Sequence, residues 1–371
     1  MKIGVLKESY QGEVRVAATP ESVKKLVGLG HSVTIESGAG LTAGFLDDAY
    51  RAEGAAIGDA VTGTDIILKV RGPSAEEASK LPEAATVIGL FDPFNSAELW
   101  APLNAKKITS LAMEFTPRIT RAQSMDALSS QSNLAGYRAV IEGAQIYGRA
   151  MPMMMTAAGT VAPAKVFIMG AGVAGLQAIA TARRLGAVVT ATDVRPAAKE
   201  QVASLGAKFI AVEDEEFKEA ETSGGYAKEM SDEYKAKQAE LTANHIAKQD
   251  IVVTTALIPG RAAPVLVTEE MVKSMKPGSV IVDMAVSQGG NCPLSKPDEI
   301  VDVGGVKVAG FSNLPARLPA DASSLYAKNL LAFLPLITAE DGSLNLETDD
   351  EIVTAMLLTK GGETVNERLT S

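Results

Sequence analysis

The sequence predicts an α/β protein: two Rossmann-like, doubly wound parallel-sheet domains joined by long helices, with a cleft between them. Three observations carry that expectation. Short β-branched runs alternate with stretches of helical apolar spacing, the pattern of parallel strands joined by crossover helices. At 371 residues the chain is too long for one typical core. One stretch, Ala164–Arg195, reads strand, glycine turn, helix, strand, acid in the order of a dinucleotide site.

The first half justifies its elements in turn. Lys2–Leu6 reads as a strand, and Thr19-Pro20-Glu21 supplies an N-cap, a first-turn proline and a favourable acid for a helix to about Leu29. Val33–Glu36, Ile66–Val70, Thr86–Leu90 and Ile108–Met113 are further β runs. Leu46–Glu53, Ala75–Lys80 and Ser96–Lys106 are helical stretches between them. This half carries no glycine fingerprint. Gln123–Gly148 is one long helical pattern, with Asn133, Gly136 and Gly143 as weak points. The expected division is 1–128 plus 317–371 for a domain without the fingerprint, and 129–316 for the nucleotide-binding domain.

In the second half, Val166–Met169 is a buried strand that runs into Gly170-Ala171-Gly172-Val173-Ala174-Gly175 and then the helix Leu176–Leu185. Gly170 permits the tight turn, Gly172 lets the backbone approach a pyrophosphate, and Gly175 lets helix and strand pack closely. Free N–H groups and the helix dipole face the phosphates. The next strand, Val188–Thr192, ends at Asp193, which accepts from adenosine ribose hydroxyls and repels a 2′-phosphate, favouring NAD. Arg195, two residues on, works against that preference. A glycine turn with no ligand is the alternative.

Further strands at Phe209–Val212, Ile251–Leu257, Ser279–Met284 and Val306–Phe311 alternate with helices at Lys199–Leu205 and Glu269–Met275. Leu325–Ile337 is a last apolar helix, expected to pack back on the first half, and the acidic tail after Glu340 is expected to be only partly ordered. Glu213–Tyr226, acidic and ending in a glycine pair before Tyr226, reads as a hinged flap or as a solvated excursion.

Composition excludes several classes. A net charge of −10 makes nucleic acid or an anionic membrane surface an unfavourable partner. The single cysteine, Cys292, precludes an internal disulfide and reads as a buried small hydrophobe. Neither a signal peptide nor an apolar run of the roughly 18–20 residues of a membrane span is expected. No phosphate loop, HExxH or paired CxxC appears, so no metal site is signalled. The methionines at 151 and 153–155 read as core.

The segment Arg118–Ser129 is unusually polar for the end of a strand. Gln123, Asp126 and Ser129 fall on one helical face, and Arg118 is within reach of Asp126. Such a group suits a nicotinamide carboxamide and its ribose; a helix-terminal salt-bridge cluster is the bland alternative. Dehydrogenases of hydroxy or amino acids move a proton with each hydride and need an acid/base. This chain has two histidines, His31 and His245, both read as surface residues. Hydride transfer between two nicotinamides needs no proton, which suits the shortage.

Five motifs resemble one family. RITRAQSMDALSS at Arg118–Ser130, the fingerprint with TDVR, GGYAKEMS at 224–231, TTALIPG at 254–260 and GGNCPLS at 289–295 look like the NAD(H)-binding component of proton-translocating nicotinamide nucleotide transhydrogenase. That family is related to alanine dehydrogenase, whose N-terminal pattern Glu13–Pro20 and Leu68–Val70 resemble.

The resemblance implies hydride transfer from NADH to NADP⁺ on a partner component, coupled to proton passage through a membrane component. It assigns Arg118, Gln123, Asp126 and Ser129 to the nicotinamide and its ribose. Gly170, Ala171, Gly172, Val173 and Gly175 fall to the pyrophosphate, and Asp193, Val194 and Arg195 to the adenosine ribose. Gly225 and Tyr226 become a closing loop, with Leu257 and Gln238 near the cofactor. It also implies a homodimer, peripheral on the cytoplasmic face of the inner membrane. The alternative is an alanine-dehydrogenase-like enzyme using Lys69 for substrate, although Phe91–Trp100 offers no histidine as its acid.

Overall fold

The computed structural model describes residues 1–218, 230–258 and 260–370. The chain divides into two units, Met1–Gln131 with Pro315–Ser371, and Ser132–Leu314.

In the first unit β1 (Lys2–Val5), β2 (Ser32–Ile35), β3 (Ala56–Ile57), β4 (Ile66–Arg71), β5 (Thr86–Leu90) and β6 (Thr109–Ala112) form a parallel sheet. Its order is β3-β2-β1-β4-β5-β6. The helix Pro20–Gly28 begins as its sequence requires: Thr19 and Ser22 cap each other's backbone N–H groups, and Pro20 fills the first turn. The helix Pro319–Phe333 returns to this unit, burying Tyr326, Leu330 and Phe333 in one core with Ile3, Leu68 and Ile88.

The acidic tail is ordered, contrary to expectation. Leu357–Lys360 pairs antiparallel with β6, and Glu363–Thr364 pairs with it in turn. Its average polarity hides a few well-spaced apolar residues. Ile352, Val353, Met356 and Leu358 are buried, and the Thr359 hydroxyl reaches the Ile108 carbonyl at 2.8 Å. These anchors outweigh the polar composition around them.

The long helix spans Ala127–Tyr147, after a 3₁₀ turn at Thr120–Met125. Its glycines are not weak points but points of contact. A Cβ on Gly136 would lie 2.0 Å from the Ala174 carbonyl oxygen, and one on Gly143 would lie 3.1 Å from Ile251 Cγ2. Helix backbone approaches its neighbours there more closely than a side chain comfortably permits.

In the second unit β7 (Met154–Thr156) and β8 (Gly159–Val161) form a separate antiparallel pair. There β9 (Lys165–Met169), β10 (Val188–Thr192), β11 (Lys208–Phe209), β12 (Ile251–Thr254), β13 (Val280–Asp283), β14 (Glu299–Val303) and β15 (Val306–Gly310) build the main sheet. Its order is β11-β10-β9-β12-β13-β15-β14, parallel except for the β14 edge. Both units therefore share the doubly wound order, and each has its reversal point beside its first strand. The methionine expectation fails in part. Met151 is buried, but Met153, Met154 and Met155 stand exposed on or beside the β7–β8 hairpin, Met155 by 78%.

Neither histidine is a surface residue as expected. His31 is buried behind the helix Pro20–Gly28, with Nδ1 3.4 Å from the N-terminal amine. His245 is half-buried, its ring edge-on to Phe167, with Nε2 2.8 Å from the Thr190 hydroxyl. Desolvation lowers the pKa of both below 6.5, His31 aided by the N-terminal charge and His245 by nearby lysines.

Candidate nucleotide site

The turn after β9 is built by steric exclusion. Gly170 has φ of +104° and donates its N–H to the Thr192 carbonyl at 2.8 Å; a Cβ there would meet the Thr255 hydroxyl at 2.4 Å. A Cβ on Gly175 would lie 1.8 Å from the Gly170 carbonyl oxygen, so the helix Val173–Arg184 packs against its own turn only without a side chain. Gly172 is different: it is exposed, and a Cβ there would meet nothing within 4 Å. No side chain caps this helix. Open space over Gly172 and an uncapped helix start, with Ala171 buried and Val173 exposed, are what a pyrophosphate needs.

Register places the end of β10 beside this turn, Thr192 opposite Met169. Asp193 follows. Its Oδ2 accepts from the Ala171 N–H at 2.7 Å and from Arg195 Nη2 at 3.0 Å; its Oδ1 accepts from the Arg195 N–H and Nε, each at 2.9 Å. Val194 is exposed next to this clamp. Gln238 ties the site from behind, accepting from the Val212 N–H at 2.9 Å and reaching Thr192 Oγ1 at 3.4 Å.

Sequence reasoning missed Thr255 and the reason for GGNCPLS. Thr255 Oγ1 lies 3.3 Å from the Met169 carbonyl and 3.2 Å from that of Gly170, pinning β12 to the turn. Asn291 holds both the N–H and the carbonyl of Ala256, at 3.1 and 2.9 Å, and the carbonyl of Pro264 at 2.8 Å. Asp283, fully buried, accepts from the Cys292 N–H at 3.0 Å and the Ser295 hydroxyl at 2.6 Å. The two motifs 254–260 and 289–295 are thus one assembly, which presents Leu257 with nearly half its surface exposed. A threonine pair ending a strand and an asparagine after a glycine pair were the available signals. Gly225 and Tyr226 lie outside the described residues. Of the expected structureless acidic loop, Glu215–Lys218 is helical and Phe217 is buried among its neighbours.

In the first unit the polar turn takes another form than a continuous helical face. Asp126 breaks the chain between the 3₁₀ turn and the long helix, and caps the latter: it accepts from the Ser129 N–H at 2.8 Å and the Ser129 hydroxyl at 2.5 Å. No ion pair joins it to Arg118 among the described residues; Arg118 and Gln123 are exposed. The anchors are elsewhere. Arg121 forks onto Asp350 at 2.6 and 3.1 Å, and Asn329 donates to the Ser124 carbonyl at 2.8 Å.

At the first unit's own reversal point stands a cluster of buried charges. Lys69, wholly enclosed, is 3.0 Å from Glu77 and 3.8 Å from Glu8. Arg15 grips Glu13 with two bonds of 2.7 and 2.6 Å and Gln131 with a third of 2.7 Å. Burial pushes the Glu8 carboxyl up to about 7, with Lys69 opposing. Glu114 also rises to about 7, chiefly by burial; its Oε1 accepts from the Asp92 N–H while Oε2 is enclosed with no partner.

The fold and the glycine turn define a two-domain α/β protein of the dinucleotide-binding class. Family models described as Alanine dehydrogenase/PNT, N-terminal domain, and Alanine dehydrogenase/PNT, C-terminal domain, match residues 4–135 and 139–367. The chain belongs to this alanine dehydrogenase/PNT family, as the motifs led us to expect.

It is 55% identical over 380 residues to an NAD(P) transhydrogenase subunit alpha chain of Rhodospirillum rubrum, covering 100% of this chain and 99% of that one. Alanine dehydrogenase 1 of Staphylococcus aureus is more distant, 31% identical over 100% of this chain and 96% of its own. Among solved structures, the transhydrogenase from Sinorhizobium meliloti matches with a TM-score of 0.91 and 56% identity, covering 98% of this chain and 100% of that one. An L-alanine dehydrogenase matches at 0.83 and 28%, over 100% and 98%.

Proposed function

We propose that this chain binds NAD(H) at the Gly170–Gly175 turn and gives hydride to NADP⁺ held by a separate NADP-binding component. A membrane component would couple that transfer to proton passage. The observation that carries this reading is the carboxylate of Asp193 bonded to the turn itself through the Ala171 N–H. It puts an acid where an adenosine ribose would lie and leaves Gly172 open for the pyrophosphate. The full-length similarity to transhydrogenase alpha subunits supports the partner and the reaction.

When bound, the nicotinamide supplies the hydride. The chain binds and orients it. Helix N–H groups at Gly172–Val173 would hold phosphate, Asp193, Val194 and Arg195 the adenosine ribose, and Leu257 an apolar face of the cofactor. Gln238 braces Thr192 beneath them. Arg118, Gln123, Asp126 and Ser129 are assigned the nicotinamide and its ribose. The bond from Ser129 to Asp126 fixes that carboxylate without a cation. Neither histidine is poised as a proton donor, since burial depresses both. Direct nicotinamide-to-nicotinamide transfer asks for none.

We also assign a homodimer to this chain, docked on the cytoplasmic face of a membrane through its partners. The exposed methionines of the β7–β8 hairpin favour an apolar contact with a second copy. Titration with NADH and NADPH, then addition of an NADP-binding partner, tests the main reading. NADH should bind more tightly, and NADH-dependent reduction of an NADP analogue should begin only with the partner. Pyruvate- and ammonia-dependent NADH oxidation by the chain alone would instead favour an alanine dehydrogenase, with Lys69 and Arg15 as its buried cations.

A further inference from the structure

The Asp193 carboxylate has no acceptor capacity to spare. A carboxylate offers about four lone-pair sites, and each is met: Ala171 N–H and Arg195 Nη2 on Oδ2, Arg195 N–H and Nε on Oδ1. Two of those donors are backbone, fixed by the turn and by the chain direction after β10. The other two belong to one guanidinium, on a side chain one-third exposed, which a rotamer change removes together. The fork presents two donors side by side to the two oxygens. A vicinal ribose diol would present the same pattern.

We infer that the Arg195 guanidinium occupies the seat of the adenosine ribose diol and is displaced by it, so that Arg195 sets how strongly the site reads the 2′-position. This rests on the NAD(H) reading of the turn. With Arg195 present, the 2′-hydroxyl exchanges one good donor for another. A nucleotide lacking that hydroxyl loses little, because the guanidinium resumes its place. A 2′-phosphate meets an acid whose charge is already compensated. Without the guanidinium, Asp193 keeps an unpaired acceptor whenever the 2′-hydroxyl is missing, and its full charge opposes a 2′-phosphate. Arg195 is thus a positioning and specificity residue that works through Asp193.

Calorimetric titration of wild type, Arg195→Met and Arg195→Lys with ADP, 2′-deoxy-ADP, NADH and NADPH tests this, each variant first shown to melt as wild type does. In wild type the deoxy nucleotide should bind within about threefold of ADP, and in Arg195→Met at least about tenfold more weakly. The preference for NADH over NADPH should widen by about tenfold in Arg195→Met. Arg195→Lys, which keeps the charge but not the fork, should fall between. Equal deoxy penalties in wild type and Arg195→Met, or a narrowed NADH preference, would overturn the displacement. If NADH binds with those penalties unchanged, the NAD(H) reading stands and this inference falls; if wild type binds no NADH, both fall.

Discussion

Asp193 and Glu114 are both carboxylates enclosed by the fold, and their neighbours give them opposite characters. Asp193 is surrounded by donors, so its value lies in hydrogen bonding. Asp193→Asn keeps the shape but turns one acceptor into a donor. NADH affinity should fall by about 1–2 kcal/mol, read by fluorescence titration; unchanged affinity would remove it from the ribose. Glu114 has one N–H and an enclosed, unpartnered oxygen, and its carboxyl is lifted from 4.5 to about 7. A pKa raised by folding means the native state holds a proton that the unfolded chain releases. Its contribution to stability is therefore present below about 4.5 and is lost as pH rises through about 7. Glu8 acts in the same direction. Melting temperature should decline between those values, and Glu114→Gln should flatten the decline by a few degrees; an unaltered slope would show that Glu114 ionises freely.

Among elements, the strand–turn–helix of β9 separates stability from binding one glycine at a time. Gly175→Ala would force a methyl against the Gly170 carbonyl, and Gly136→Ala would do the same against Ala174. Each should cost about 3 kcal/mol in chemical denaturation. Gly172→Ala adds a methyl to open space. Its unfolding midpoint should match wild type while NADH binding weakens at least about tenfold, because the methyl stands where the pyrophosphate must approach. Equal loss of stability in all three would mean that Gly172 is structural too. The polar turn has a comparable division, since its exposed side chains are carried on a backbone fastened by Arg121, Asn329 and the Asp126 cap.

Across the whole molecule, two sheets of the same winding order end in different chemistry. At one reversal point glycine lets backbone and solvent in; at the other, Glu8, Glu13, Arg15 and Lys69 neutralise one another in a closed cluster. A nucleotide would find room at the first and a filled site at the second. The β7–β8 hairpin belongs to this scale as well, because methionines exposed on a two-stranded arm need a partner to cover them. Met155→Asp should shift the chain from dimer towards monomer in light scattering without lowering its melting temperature; an unchanged mass would place the contact elsewhere.

The sequence by itself determined the strands, most helices, the glycine turn and its acid, because period and steric need are local and each glycine answers a neighbour a few residues away. It also carried the family, since five motifs keep their order. Tertiary structure alone decided what those parts meet. Arg195 rather than Arg118 grips a site carboxylate, Asn291 closes the loop at Ala256, and the acidic tail becomes sheet. The exposed methionines and the enclosed Lys69 were likewise illegible beforehand. Burial and pairing depend on residues distant in the chain, and no local pattern encodes which of them will arrive.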